Sequence, residues 1–214
     1  MKSFPDGLFI SFEGTEGAGK STQIRLLTDV FQERGYNVLN TREPGGTPLG
    51  EELRKLIKHF GGPDSVCDEA ELLMFGASRA QLMDRIIRPH LESGGIVLCD
   101  RFADSTTAYQ GVARGMDMTF IQQLHDFSIR GRWPDTTILL DISVKIGMGR
   151  ARDRSAGNPV DRIEAESLKF HRMVQHAFLD IASKEPKRFL VLSGNQPVDV
   201  LHEVIIRILD DLHF

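Results

Sequence analysis

Residues 14–21 have the types and spacing of a phosphate-binding loop (P-loop). They are Gly-Thr-Glu-Gly-Ala-Gly-Lys-Ser and fit the pattern G-x-x-x-x-G-K-[ST]. Glycines let the backbone turn tightly and aim several N–H groups at one point, and the N-terminus of a following helix adds partial positive charge there. The lysine and the serine that end the pattern supply a cation and a hydroxyl. The segment therefore predicts a site for a polyphosphate together with a divalent cation.

The sequence on either side of the P-loop supports this prediction. The apolar run 8–12 precedes it and predicts a buried strand, whereas the amphipathic stretch 21–34 follows it and predicts a helix. In that context Lys20 is expected to reach the β- and γ-phosphates of a nucleotide, and the Ser21 hydroxyl to contact Mg²⁺. The alternative is a glycine-rich turn without a ligand. The predicted nucleotide-binding residues here are Glu16, Gly17, Ala18, Gly19, Lys20, Ser21 and Thr22.

Charged side chains follow two other predicted strands. Arg42 lies in Thr-Arg-Glu-Pro-Gly-Gly-Thr, directly after the second strand, and its guanidinium fork suits a second phosphate. Asp100 and Arg101 end a third apolar run, where a carboxylate can hold Mg²⁺ and an arginine can bridge two phosphates. The plainer alternatives are a surface arginine in a Pro-Gly turn and an aspartate that caps a helix. Parallel strands would bring all three side chains to one edge of the sheet.

Short apolar runs alternate with longer helical patterns along the whole chain. The predicted strands are 8–13, 37–41, 96–100, 136–142 and 188–193. The predicted helices are 19–34, 48–60, 68–93, 103–113, 118–131, 144–153, 163–184 and 198–212. Asp68 with Glu71, and Thr119 with Gln122, resemble capping boxes at two helix starts. The alternation predicts an α/β fold, a five-stranded parallel sheet with helices on both faces, in one domain spanning 1–214.

Bulk properties exclude several classes of protein. The net charge of −4 argues against a general binder of nucleic acids, and no apolar run approaches the ~20 residues of a membrane-spanning helix. Cys67 and Cys99 predict free thiols and a cytoplasmic protein. The seven histidines show no metal-ligand spacing. A GTPase would normally present N-K-x-D, which the chain lacks, so a small-molecule kinase is favoured over a GTPase or an ATPase motor.

The segment 150–163 is the least regular part of the chain. Three arginines, Arg150, Arg152 and Arg154, precede a Gly-Asn-Pro sequence that should break a helix. The segment is either a solvated surface loop or a lid that brings arginine onto a phosphate, and the P-loop upstream favours the lid.

Together these motifs resemble the thymidylate kinase family of bacteria. The P-loop, Arg-Glu-Pro-Gly-Gly-Thr, Leu-Leu-Met-Phe-Gly-Ala-Ser-Arg at 72–79, Asp-Arg-Phe and Ala-Tyr-Gln-Gly at 108–111 occur in the family's order. The resemblance extends from Phe9 to the last helix. It implies a P-loop NTPase fold and transfer of a phosphoryl group from MgATP to dTMP, a step in dTTP synthesis. It also implies a homodimer packed through helices such as 68–93 and 118–131.

The resemblance also implies a role for individual residues. Catalytic roles fall on Lys20, Arg42, Arg101, Arg152 and Arg154, with Arg152 favoured over Arg154 as the lid residue that contacts the phosphates. Metal ligation falls on Ser21 and Asp100. The loop containing Asn195 and Gln196 would meet the adenine of ATP. The dTMP-binding positions would be Glu16 (sugar 3′-hydroxyl), Arg42 and Arg101 (phosphate), Phe75 (stacking on thymine), Arg79 (base), Thr106 and Gln110 (near base and sugar) and Tyr109 (sugar 2′ position).

Two readings remain open beside this one. The first is a kinase of the same fold with another acceptor, either a different nucleoside monophosphate or a deoxynucleoside. The second is a non-catalytic switch that responds to ATP binding. Two departures from the family pattern bear on the site: Phe102 stands where Tyr or His is common, and the lid with its Gly-Asn-Pro at 157–159 is slightly long.

Overall fold

The computed structural model describes residues 2–62, 64–154 and 161–214, with the side chain of Arg154 excepted. Five strands form one sheet: β1 (Leu8–Glu13), β2 (Val38–Arg42), β3 (Ile96–Asp100), β4 (Thr136–Asp141) and β5 (Phe189–Ser193). Their order across the sheet is β2-β3-β1-β4-β5, and every neighbouring pair is parallel. The prediction of a five-stranded parallel sheet is confirmed, and each strand boundary lies within one residue of the predicted one.

Helices connect the strands and follow the last one. They are α1 (Lys20–Glu33), α2 (Pro48–His59), α3 (Asp68–Leu82), α4 (Arg88–Glu92), α5 (Ala103–Thr106), α6 (Met118–Ile129), α7 (Val144–Arg154), α8 (Leu168–Lys184) and α9 (Val198–His213). Two π-helical segments, Met83–Ile87 and Thr107–Ala113, join α3 to α4 and continue α5. The predicted helices 68–93 and 103–113 therefore form as continuous helical stretches whose hydrogen-bonding pattern changes along their length.

The two faces of the sheet bury different side chains. Leu8, Ile10 and Phe12 of β1 pack under α1 and α9, whereas Phe9 packs under α3, α4 and the end of α6. A third cluster joins α8 to β4 and to the π-helical segment 107–113. Because side chains alternate along a strand, a strand covered on both faces is apolar throughout. This explains why the central strands β1, β3 and β4 were visible in the sequence as mainly apolar runs, whereas the edge strand β2 is half exposed and more polar.

Three local predictions were wrong: the start of one helix and the two capping boxes. Helix α8 begins at Leu168 rather than 163, because Ser167 caps it and Asp161 Oδ1 accepts the N–H groups of Ile163 and Glu164 in a turn instead. Neither capping box forms: Cys67 precedes α3, and Asp117 caps α6 by accepting from Thr119 N. Of the predicted lid, residues 150–154 end α7 and 155–160 lie outside the described residues.

The start of α2 offers a test of helix capping. The Thr47 hydroxyl accepts the Gly50 N–H at 2.9 Å, and Pro48 occupies the first turn. Thr47→Ala should lower the free energy of unfolding by about 1 kcal/mol, because a buried helix terminus loses its partner. Urea denaturation measures this, with the exposed Thr119→Ala as the control because that hydroxyl caps nothing. Equal stabilities of the two variants would contradict the assignment.

Candidate active site

The P-loop connects β1 to α1 at the carboxyl edge of the sheet. Its backbone needs glycine at Gly14 and Gly17, which have φ values of 130° and 71°. A Cβ atom would lie 2.4 Å from Leu140 O at the first position and 2.1 Å from Gly147 O at the second. Both approaches are too close for any other residue without backbone movement. The loop is therefore fixed against the ends of β4 and α7, as a phosphate cradle requires.

Lys20 begins α1 and turns back over the loop. Its Nζ donates to Gly14 O at 3.1 Å and to Thr15 O at 3.0 Å, and the side chain is buried. Burial lowers the pKa of Lys20, as does the nearby Arg101, although Asp100 and Glu16 oppose the shift. The ammonium group thus stands at the mouth of the loop, held by backbone carbonyls that an anionic ligand could replace.

Ser21 and Asp100 meet across the sheet edge. The β1–β3 register places Asp100 opposite Phe12, beside the P-loop, and Ser21 Oγ donates to Asp100 Oδ2 at 2.7 Å. A hydroxyl and a carboxylate are the hard oxygen donors that Mg²⁺ takes, usually with waters and substrate phosphates completing the shell. Within the described ranges no cluster of three or more His, Cys, Asp or Glu side chains could hold a metal alone. The residues present fit a shared Mg²⁺–phosphate site.

Arg101 links the P-loop to the neighbouring strand. Its Nη2 donates to Glu16 Oε1 at 2.6 Å, and its Nη1 donates to Gly14 O at 3.0 Å and to Ser105 Oγ at 3.3 Å. Burial would raise the pKa of Glu16, but Arg101 and Lys20 hold it well below its usual range. The backbone of Arg101 has φ of 69°, an unusual value for a residue with a side chain. This arginine is therefore locked in one orientation.

Glu13 supports Arg101 from below, a role that the sequence did not suggest. The carboxyl group is fully buried, and it accepts from Phe102 N at 2.8 Å and from Ser105 Oγ at 2.6 Å, so it fixes the segment that directly follows Arg101. Burial, reinforced by the nearby Asp104, raises the pKa of Glu13 to about 7. The only signal in the sequence is an acidic residue at the end of an otherwise apolar strand.

A cavity of about 380 Å³ joins the P-loop to a second set of side chains. Its lining includes many of the predicted site residues: Glu16, Gly17, Ala18, Gly19, Lys20, Ser21, Thr22, Arg42, Phe75, Asp100, Arg101, Tyr109 and Gln110. It also includes residues that the sequence analysis missed, notably Arg54, Lys58 and Asp161. The site is thus one continuous space with a phosphate loop at one end and an aromatic side chain at the other.

The cations along this cavity are held by neighbouring groups. Arg42 Nη2 donates to both oxygens of the Glu51 carboxylate, at 3.1 and 3.0 Å. Arg54 Nη1 donates to Pro44 O at 2.8 Å, and Lys58 Nζ pairs with Asp161 Oδ2 at 2.5 Å. Arg54 and Lys58 lie four residues apart on α2, so one helix face points both at the cavity. The positive charge of these three side chains suits an anionic ligand.

Arg79 and Thr106 lie behind the cavity wall rather than in its lining. Arg79 is fully buried, and it donates from Nε to Glu43 Oε2 at 2.8 Å and from Nη2 to Thr106 Oγ1 at 2.6 Å. Burial and the Arg79 charge lower the pKa of the adjacent His125 to about 3. Phe75, four residues before Arg79, does line the cavity. The structure therefore places the two side chains at different depths.

Asn195 and Gln196 lie outside the cavity, in an exposed turn between β5 and α9. The turn is anchored beside the P-loop: Gly194 N donates to Asp141 O at 2.7 Å, and Arg150 Nη1 donates to Gly194 O at 3.0 Å. A Cβ on Gly194 would be 3.1 Å from Ala18 O. The loop therefore abuts the outer side of the P-loop.

Known proteins resemble this chain over nearly its whole length. A family model described as thymidylate kinase matches residues 12–205, which include every site segment above. The chain belongs to the thymidylate kinase family. A relative named thymidylate kinase in Halothermothrix orenii is 45% identical over 200 residues, 93% of this chain and 94% of that protein. Another, in Desulfovibrio desulfuricans, is 46% identical over 196 residues, 89% of each chain.

A solved structure agrees with this membership in the thymidylate kinase family. The crystal structure of thymidylate kinase from Ehrlichia chaffeensis has a TM-score of 0.77 and 36% identity, and covers 96% of this chain and 100% of that one. The predictions of a P-loop NTPase fold and of a thymidylate kinase are confirmed. In the part of the chain that the structure describes, no helix is long and apolar enough to cross a bilayer.

Two of the arginines predicted for the lid of this thymidylate kinase site, Arg152 and Arg154, lie at the end of α7. Arg152 is exposed near the end of α7 and lines a second cavity of about 350 Å³ together with Glu16 and His171. Arg154 ends α7, and its side chain lies outside the described part of the structure. Asp161 and Ile163, at the end of the predicted lid, line the main cavity, as does Glu164 directly after them.

Proposed function

We propose that this protein transfers the γ-phosphoryl group of MgATP to the 5′-phosphate of dTMP, giving ADP and dTDP. The observation that carries the proposal is the single cavity running from the P-loop to Arg101, Phe75 and Tyr109. Transfer between two nucleotides needs adjoining places for a donor and an acceptor, and this cavity offers a phosphate cradle at one end and an aromatic face at the other. Membership in the thymidylate kinase family supports the same reaction.

The acceptor makes a general base unnecessary. A phosphate monoester has a second pKa of about 6, so dTMP is mostly a dianion at neutral pH. The difficulty is instead to bring two polyanions together. Lys20, Arg42 and Arg101 would offset their repulsion and stabilise the transferring group. Arg54 and Lys58, which also line the cavity, would extend this positive wall toward the acceptor phosphate.

Ser21 and Asp100 would hold the metal ion. Bound Mg²⁺ would neutralise charge on the donor phosphates and fix their geometry. The support for this assignment is the 2.7 Å contact between Ser21 Oγ and Asp100 Oδ2 at the mouth of the P-loop.

The remaining site residues receive their roles from the resemblance. On the donor side, residues 16–22 would surround the phosphates, the Asn195–Gln196 turn would meet adenine, and Arg152 or Arg154 would approach from the lid. On the acceptor side, Phe75 would stack on thymine. The other acceptor contacts that we propose are Glu16, Arg42, Arg101, Tyr109 and Gln110. Arg79 and Thr106, which the resemblance also assigns to the base, lie behind the cavity wall and would instead hold that wall in place.

The first experiment is ADP release with ATP and Mg²⁺ across a panel of acceptors: dTMP, dUMP, UMP, dCMP, dGMP, AMP and thymidine. A clear preference for dTMP is expected. Preference for another monophosphate would support the assignment as a kinase but contradict the assignment of a thymine-binding pocket. Activity on thymidine alone would require a catalytic base and a new role for Arg42. ADP release independent of every acceptor would replace the proposal with an ATP-driven switch.

The thymine methyl group should have a limited effect on selectivity. One methyl in an apolar pocket contributes about 1–3 kcal/mol, or roughly 10- to 200-fold. We therefore expect dUMP to be a poorer substrate than dTMP, yet still to be turned over. The ratio of kcat/KM values measures this effect, and equal values for the two nucleotides would refute it.

We further propose that the protein is a cytoplasmic homodimer. Leu73 of α3 and Phe120 and Phe127 of α6 are exposed, Phe127 by 78%, so these two helices carry apolar surface suited to a second copy. Cys67 and Cys99 are both free thiols, as expected in a reducing compartment. Sedimentation velocity distinguishes a dimer from a monomer.

A further inference from the structure

Glu71 lies at the centre of a buried polar cluster beside the acceptor end of the cavity. Its side chain is only 1% exposed. Oε1 accepts from Gln110 Nε2 at 2.7 Å and from Arg114 Nε at 3.0 Å. Oε2 accepts from Arg114 Nη2 at 3.3 Å and from Arg162 Nη2. Both carboxylate oxygens are therefore fully used, and one of the four donors is the amide of a cavity residue.

The surroundings keep Glu71 an acceptor. Burial would favour its neutral form, but the hydrogen bonds and charge of Arg114, with Gln110 and Arg162, hold its pKa below the usual value. Arg114 is itself fixed, because it also pairs with Asp68 Oδ1 at 3.1 Å and with Glu166 Oε1 at 2.8 Å. An ionised carboxylate has no proton to donate, so only an N–H group can face it.

This settles which way the Gln110 amide points. A glutamine side chain has a donating NH₂ group and an accepting oxygen, and a rotation of 180° exchanges them. Facing an ionised Glu71, the amide must turn its nitrogen inward. Gln110 is 1% exposed overall and lines the same cavity as Phe75 and Tyr109. The oxygen is then the polar atom that its side chain can offer to a ligand.

We propose that Glu71 is a positioning residue for base selection: it fixes the Gln110 amide so that a carbonyl oxygen, rather than an NH₂ group, faces the acceptor base. The inference rests on the proposed function and deepens it. Thymine and uracil carry a proton on N3, whereas cytosine has a lone pair there. An accepting oxygen pairs with the N3–H of the first two and opposes the lone pair of the third. Discrimination therefore follows from a residue that does not touch the nucleotide.

The experiment compares dUMP with dCMP, because neither carries the methyl group and they differ only at the hydrogen-bonding edge. The measured quantity is the ratio of their kcat/KM values, with dTMP as the reference acceptor. In Glu71→Gln, Arg114 and Arg162 should donate hydrogen bonds to the oxygen of the introduced amide. The NH₂ group of that amide then faces Gln110. Gln110 can then turn its own NH₂ group to the cavity. The dUMP/dCMP ratio is expected to fall about tenfold or more.

The matched control is Glu69→Gln, the same chemical change at an exposed position of the same helix. It should leave the ratio within twofold of the original protein. A double-mutant cycle with Gln110→Leu adds a readout that a merely structural role of Glu71 would not produce. Gln110→Leu alone should lower the ratio, and adding Glu71→Gln to it should change the ratio no further.

Three results would overturn the inference: an unchanged ratio in folded Glu71→Gln, an unchanged ratio in Gln110→Leu, or an equal effect of Glu71→Gln with and without Gln110. Glu71→Gln could fail to fold because Arg114 and Arg162 lose their counter-charge. In that case the variant Glu71→Gln with Arg162→Gln, which also removes one of the two positive charges, replaces Glu71→Gln in the double-mutant cycle. Failure of the proposed function is distinct, because the unsubstituted protein would then show no preference for dTMP in the acceptor panel, before any substitution is made.

Discussion

Lys20→Ala is expected to lower kcat by about 10²- to 10³-fold while the protein keeps its fold. The ammonium group stands at the mouth of the P-loop, held by Gly14 O and Thr15 O at 3.1 and 3.0 Å. A preorganised donor aimed at developing charge in a dry site typically contributes this much, and it costs no reorganisation during the reaction. Steady-state ADP release with ATP and dTMP measures the loss.

Stability separates loss of chemistry from loss of structure. Lys20→Ala leaves two buried carbonyls without the ammonium, which costs about 1–3 kcal/mol at most and should leave a cooperative unfolding transition. Lys55→Ala is the matched control, because Lys55 is an exposed lysine of α2 that pairs only with Glu52 among the ion pairs of the described residues. The control should retain full activity. Near-normal turnover in a folded Lys20→Ala protein would contradict the assignment of residues 14–21 as a catalytic P-loop.

The sequence was most informative where chemistry and local geometry coincide. The P-loop needs glycine at Gly14 and Gly17, and it needs the strand before it and the helix after it, so a short segment carries its own structural context. Asp100 and Arg101 were recognisable because they end an apolar strand. Parallel pairing then brings such ends to one edge of the sheet, and there Asp100 meets Ser21, 79 residues away in the chain, as fits the separate prediction that each contacts Mg²⁺.

The residues that the sequence did not reveal depend on distant packing. Arg54 and Lys58 lie on an amphipathic helix, and the pattern gives a polar face without saying that this face borders the cavity. Glu71 resembled part of a capping box, yet it is buried because Arg114 and Arg162 arrive from later segments of the chain. Only the assembled fold makes a charged residue at that position favourable.

Arg101→Ala is expected to have the largest effect of any single substitution in the site, a loss of about 10³- to 10⁵-fold in kcat. This corresponds to roughly 4–7 kcal/mol of transition-state stabilisation, as for other arginines that contact a transferring phosphoryl group. Arg101 is the one guanidinium that contacts both Gly14 of the P-loop and Glu16 in the described structure. Arg101→Lys should recover little, because an ammonium cannot reproduce that fork.

The backbone of Arg101 gives the same experiment an internal control. With φ of 69°, any residue other than glycine is strained there. Arg101→Gly should therefore lose as much turnover as Arg101→Ala. Its free energy of unfolding should be about 1 kcal/mol higher than that of Arg101→Ala, which urea denaturation would show as a higher midpoint. Equal activity losses with different stabilities would separate the guanidinium from the fold. Turnover within tenfold of the original in either variant would show that another cation bridges the phosphates, and Arg42 and Arg54, which also line the cavity, would be the candidates.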